Sequence, residues 1–207
     1  MMIDPLSAKL LQFITDIEKV NQINKNLHQV VSCKPRSGQP PDLFITKVAN
    51  WIAVPILEPF YVLTSTLLKR LEVTLLESGQ ELFAVTFPHY GLPSFTYNVP
   101  LTEDALREVE ILSPFIAVLF SGTPDSSWFF LSIETDYCIM IGLSEFINEF
   151  FEHKVEEKLS ELYSRSLIDK KGSNPSSQSY YPYSSFIYDQ LRKYNDAEAG
   201  AKFSLSF

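Results

Sequence analysis

The sequence predicts an α/β chain: a single mixed sheet flanked by helices, with a heptad-patterned helix before it and a flexible tail after it. Three observations carry this. Residues 115–120, 128–133 and 137–142 are short apolar runs rich in β-branched and aromatic side chains, separated by Gly, Pro, Asp and Ser, the pattern of adjacent strands. Residues 1–34 carry an apolar stripe at alternating spacings of 3 and 4. Beyond residue 166 the composition turns to Ser, Tyr, Gly and Pro, which lacks the apolar content of a packed core. The expected organisation is a helix over 1–34, an α/β body over 43–165 and a linker with a docking tail over 166–207.

The stripe of the first segment is Ile3, Leu6, Leu10, Phe13, Ile17, Val20, Asn24, Leu27 and Val31. A coiled coil under-winds to 3.5 residues per turn, which holds such a seam against a partner helix, and a polar Asn24 on it would set register. Leu10, Phe13, Ile17, Val20, Asn24 and Leu27 are therefore the candidate oligomer interface, through which a homodimer could form. The same stripe also suits a helix packed on its own domain. Asp4 and Pro5 fit a helix start. Pro35, Gly38, Pro40 and Pro41 then predict a linker.

Residues 43–57 are apolar and fit either element type. Leu63, Leu67, Leu68, Leu71 and Leu75 predict a helix that stops at Gly79. Residues 81–87 read as a strand. Residues 88–100 are an irregular stretch, long enough inside a compact domain to suggest function. Thr102 caps the next helix, with Glu103 and Asp104 in its positive first turn. The runs at 115–120 and 128–133 are nearly all apolar, which predicts strands buried on both faces. Ser144 opens a helix continuing to about residue 165, with the stripe Ile147, Phe150, Phe151, Val155, Leu159 and Leu162. In the tail, Phe186, Ile187, Leu191 and Tyr194 fit a short helix, and residues 203–207 fit a strand.

Composition narrows the function. A chain of 207 residues with 45 % apolar side chains can bury about 70 % of its unfolded surface without disulfide staples. Seventeen basic and 25 acidic side chains leave a net charge of −8, which repels phosphate backbones and argues against nucleic acid. Cys33 and Cys138 show no paired spacing, which fits a reduced, cytoplasmic chain. No leader pattern is visible, and no run of about 18 apolar residues predicts a membrane span.

No catalytic residue, metal ligand set or cofactor is expected. There is no G-x-S-x-G elbow, Walker loop or G-x-G-x-x-G, and His28, His89 and His153 lie apart with no H-E-x-x-H or C-x-x-C. His28 and His153 sit on predicted helices and read as surface residues. His89 follows a predicted strand end, where open α/β sheets bind ligands. With Tyr90 and Tyr97 in the same stretch, and Glu134 and Asp136 in a later turn, it forms the candidate ligand or partner site.

Leu67, Leu71, Glu72 and Leu75, the strand 82–87, the strand 116–120, then Trp128, Ile133 and Tyr137 form an order that resembles the DICT domain. That family is a sensory module of bacterial diguanylate cyclases and two-component proteins. The resemblance covers about residues 60–142. After the first strand the chain has Pro88-His89-Tyr90-Gly91 where the family has a polar pair. The resemblance implies a sensory role and brings no catalytic residue with it. The expected function is a non-catalytic regulatory or adaptor protein that acts by binding a signalling or regulatory protein. The competing classes are a small enzyme using His89, Glu134 and Asp136, and a scaffold without a ligand.

Overall fold

A computed structural model describes residues 9–36, 39–56, 69, 81–87, 94–112, 116–121, 128–133, 137–172 and 183–205. In chain order these form β1 (Gln12–Phe13), α1 (Ile17–Val30), β2 (Val31–Arg36), β3 (Gln39–Thr46), β4 (Trp51–Ile56), β5 (Leu82–Thr86), β6 (Thr96–Asn98), α2 (Glu103–Leu112), β7 (Ile116–Ser121), β8 (Trp128–Ile133), β9 (Tyr137–Leu143), α3 (Ser144–Phe150), α4 (Val155–Gly172), α5 (Tyr183–Asp196) and β10 (Lys202–Ser204). The chain does combine helices with sheet, but the single mixed sheet is corrected. The described strands form a seven-stranded sheet, β1-β6-β5-β7-β8-β9-β4, and a three-stranded sheet, β10-β3-β2. Every described pairing is antiparallel.

The large sheet is buried on both faces, and its side chains alternate between two cores with the period of a strand. Phe83 and Val85, Phe129 and Leu131, and Ile139 and Ile141 enter one core. Leu82 and Ala84, Trp128 and Phe130, and Cys138 and Met140 enter the other. The first core is closed by α1, α5 and the small sheet, through Ile23, Leu27, Ile45, Ile187 and Leu191. The second is closed by Ala105, Leu106 and Val109 of α2 and Ile147 of α3. Burial of residues 128–131 agrees with the two-sided strand read from their apolar run.

The described residues near both ends of the chain, 9–30 and 183–205, belong to this body. The N-terminal segment is not one helix: residues 12–13 pair with β6, and α1 starts only after Asp16. The Asp16 carboxylate accepts from the amides of Glu18 at 2.9 Å and Lys19 at 3.2 Å, an N-cap that stops the helix from extending backwards. The tail does not stand apart either. Ile187, Leu191 and Tyr194 are buried on α5, and β10 pairs with β3 across Lys202↔Thr46, Phe203↔Ile45 and Ser204↔Phe44.

Two further expectations are corrected. The proline-rich stretch is a β2–β3 hairpin rather than a linker. Its prolines are tolerated because β2 is an edge strand, β10 covers only residues 44–46 of β3, and the β2–β3 register breaks between Lys34 and Arg36, where Pro35, Pro40 and Pro41 fall outside the regular pairs. The helix expected over 144–165 is two helices, because Glu152 and His153 adopt φ of 52° and 63°. His153 N–H turns back to the Asn148 carbonyl at 2.7 Å, a left-handed stop made without glycine. Ser144 is not its cap: the capping position is Leu143, with no side-chain bond. Thr102 does cap α2, accepting from Ala105 N–H at 3.3 Å. The helix expected over 60–77 and its stop at Gly79 lie outside the described elements.

Candidate functional site

Two features of the surface are built from several elements. The first is the β1 edge of the large sheet. Leu10, Phe13 and Ile17 are 47 %, 44 % and 73 % exposed, a run of large apolar side chains that water disfavours. The edge is held in shape from behind. Amides of Lys9, Leu10 and Leu11 converge on the Glu108 carboxylate of α2 at 2.7, 2.7 and 3.0 Å. Successive amides of this kind make a concavity for an anion, and here the chain fills it with its own carboxylate. Leu11 is buried beneath, and the Phe13 ring rests 6.0 Å from Phe95 and 5.8 Å from Tyr97.

The stripe read as a coiled-coil seam is therefore divided. Leu10 and Phe13 precede the helix, Ile17 faces solvent, Val20 and Asn24 are half-buried, and Leu27 is 0 % exposed within the chain's own core. A seam needs all of these on one free face, so Leu27 cannot serve a second chain while the body is folded.

The second feature lies where the β3–β4 turn, the β9–α3 junction and the end of α5 meet. It is a cavity of about 640 Å³ lined by Lys47, Asn50, Trp51, Leu143, Glu145 and Asn195, among others. Asn50 turns the chain at φ 62°, a conformation Asn tolerates. Its carbonyl accepts from Ser144 N–H at 2.8 Å, which fastens the turn to α3. Asn195 reaches the outer edge of β4, where its carboxamide donates to the Ala53 carbonyl at 3.0 Å and accepts from the Ala53 amide at 2.8 Å. A side chain thus replaces the neighbouring strand that an edge lacks.

Lys47 is only 7 % exposed. Its ammonium donates to the Trp51 carbonyl at 2.6 Å and the Asn195 carbonyl at 3.3 Å, and lies 4.7 Å from the centre of the Tyr194 ring. It thereby holds a carbonyl at the negative end of α5. Burial pulls its pKa below the ordinary lysine value, and the charge of Asp196 opposes this. Among the described residues, no carboxylate stands within ion-pair distance of it.

Burial pushes the Tyr194 phenol up to about 12, against a small opposing effect of the Val48 amide. That amide is near but not in hydrogen-bonding geometry, since the buried hydroxyl has no hydrogen-bond partner. Tyr194→Phe should accordingly leave stability unchanged or raise it by about 1 kcal/mol at neutral pH. The folded pKa is raised above the unfolded value of 10.0, so the stability linked to the neutral phenol is complete below pH 10 and is lost as pH climbs towards 12. Urea unfolding from neutral to alkaline pH should show this alkaline loss in the wild type and a smaller one in Tyr194→Phe. An equal loss in both would contradict the assignment.

Of the candidate residues read from sequence, His89, Tyr90, Glu134 and Asp136 lie outside the described residues. Tyr97 does not line an open loop: it sits on β6 with its side chain buried in the second core, and residues 96–98 are strand rather than loop. Lys47 and Asn195 went unnoticed. The available signal was a single cation within the apolar stretch 43–57; Asn195 has none. Among the described residues, no three His, Cys, Asp or Glu side chains gather as a metal site, and no helix is long and apolar enough to cross a membrane. Comparison with protein-family models, with curated proteins and with solved structures found no match.

Proposed function

We propose that this chain is a regulatory interaction module that acts in the cytoplasm by binding another protein at the β1 edge. The observation that supports this most is the exposure of Leu10, Phe13 and Ile17, with the backbone of residues 9–11 held by Glu108 and Phe13 held by its pairing with Tyr97. Apolar patches rimmed by polar residues are favoured contact surfaces. The occupant is a different protein with a basic rim. A second copy carries the same net charge of −8 and is repelled, whereas a basic partner is steered in. A sensory role, implied by the resemblance over residues 60–142, would pass its signal through such a contact, because signalling by binding requires different affinities in two states.

The test places a photo-activated cross-linking residue at position 10 or 17, and at Arg192 on α5 as a control. The expected result is one basic protein joined from positions 10 and 17 and not from 192. Once purified, that protein binds wild type and loses more than about tenfold in affinity for the Leu10→Glu, Ile17→Glu double variant. Cross-links only to a second copy, or equal affinity for the double variant, would contradict the proposal.

A further inference from the structure

Lys47 is a buried cation beside a cavity large enough for a small molecule. Two of its three N–H groups go to neutral carbonyls, Asp196 acts on it only from beyond ion-pair distance, and a buried charge without a close partner is costly. Glu145, an exposed residue in the first turn of α3, also lines the cavity. One basic and one acidic residue thus line it, together with Trp51 and Leu143. A ligand bearing only an anion would answer Lys47 and oppose Glu145; one bearing only a cation would do the reverse.

We propose that this cavity binds a small amino-acid-type zwitterion, its carboxylate on Lys47 and its ammonium on Glu145. The carboxylate supplies a close counter-charge, which no described residue places within ion-pair distance of Lys47, and the ammonium matches the opposite wall. Because Lys47 and Asn195 tie the β3–β4 turn to α5, an occupant would bear on the packing of the tail helix. This inference is independent of the β1-edge reading.

The probes are glycine and L-leucine, each compared with its amide (glycinamide, L-leucinamide) and with the acid lacking the amine (acetate, isocaproate). The readout is the indole N–H resonance of Trp51, assigned with Trp51→Phe. Glycine or L-leucine should move it saturably, with the amide and the amine-free acid each weaker by at least about tenfold. Lys47→Met should abolish the response. Glu145→Gln, at an exposed position that leaves the fold intact, should reduce amino-acid affinity by about tenfold and spare isocaproate. The proposal is overturned by any of three results: neither amino acid moves the resonance, the amide or the amine-free acid binds as tightly as the amino acid, or Glu145→Gln leaves the preference for the zwitterion unchanged.

Discussion

Leu27→Ala is expected to destabilise the protein by about 3 kcal/mol, whereas Ile17→Ala should change stability by no more than about 0.5 kcal/mol. Both residues occupy the same apolar stripe of the sequence. Leu27 projects from α1 into the core formed with Val31, Leu43 and Ile45, so its truncation removes transfer energy and leaves a cavity. Ile17 stands at the first turn of the same helix and faces solvent. A coiled coil would make the two losses comparable and the unfolding midpoint dependent on protein concentration. Urea unfolding at two protein concentrations separates the cases: unequal losses with a fixed midpoint are predicted, and equal losses with a shifting midpoint would contradict the structure.

Asn195→Ala should cost about 3 kcal/mol, unusually much for one polar side chain. The change strips partners from both the amide and the carbonyl of Ala53, a residue fully buried on β4. Each orphaned buried group costs about 1–3 kcal/mol. Asn195→Asp is the informative companion. Its carboxylate can still accept from the Ala53 amide but confronts the Ala53 carbonyl with a second acceptor. Unfolding of this variant should show stability rising as pH falls, because a protonated acid regains a donor for that carbonyl. If Asn195→Ala unfolds at the wild-type denaturant midpoint, the carboxamide does not seal the sheet edge.

Much of the sheet was legible in the sequence because its strands obey one local rule. Residues 128–131 and 138–141 are apolar at every position, and a strand can place every position indoors only when both faces are covered. The stripe over 3–31 was legible as a stripe, but the same spacing serves a seam between chains and a helix docked on its own sheet. The deciding features were Asp16, whose carboxylate ends α1, and the pairing of residues 12–13 with 97–98. The latter depends on residues more than eighty positions apart. The prolines at 35, 40 and 41 misled because proline is excluded only where the ladder needs its N–H, and here the β2–β3 register breaks beside an open edge. The left-handed pair Glu152 and His153 left little mark, since Glu does not favour that conformation and a single His, though enriched there, is a weak signal.

The candidate sites follow the same division. The exposed run Leu10, Phe13 and Ile17 falls on residues singled out as an interface, although they reach solvent by a strand and a helix start rather than along one helix. The cavity was invisible, because Lys47, Glu145 and Asn195 come from three distant parts of the chain and share no motif. Lone polar residues of these types usually signal solvated surface. Only the folding of α5 back onto β4 brings Asn195 to Ala53 and gives the Lys47 ammonium the second of its two carbonyls.

The described residues near both ends of the chain, 9–30 and 183–205, are structural parts of one body, with the β1 edge and the Lys47 cavity proposed as contact surfaces. Native-state hydrogen exchange tests this most directly. Slowly exchanging amides of α1, α5 and β10 should share the opening free energy of the Ile139 amide on β9, since all would exchange only through global unfolding. Exchange of the α5 and β10 amides through a lower-energy opening that leaves β8 and β9 closed would show the tail to be a separable appendage and contradict the account.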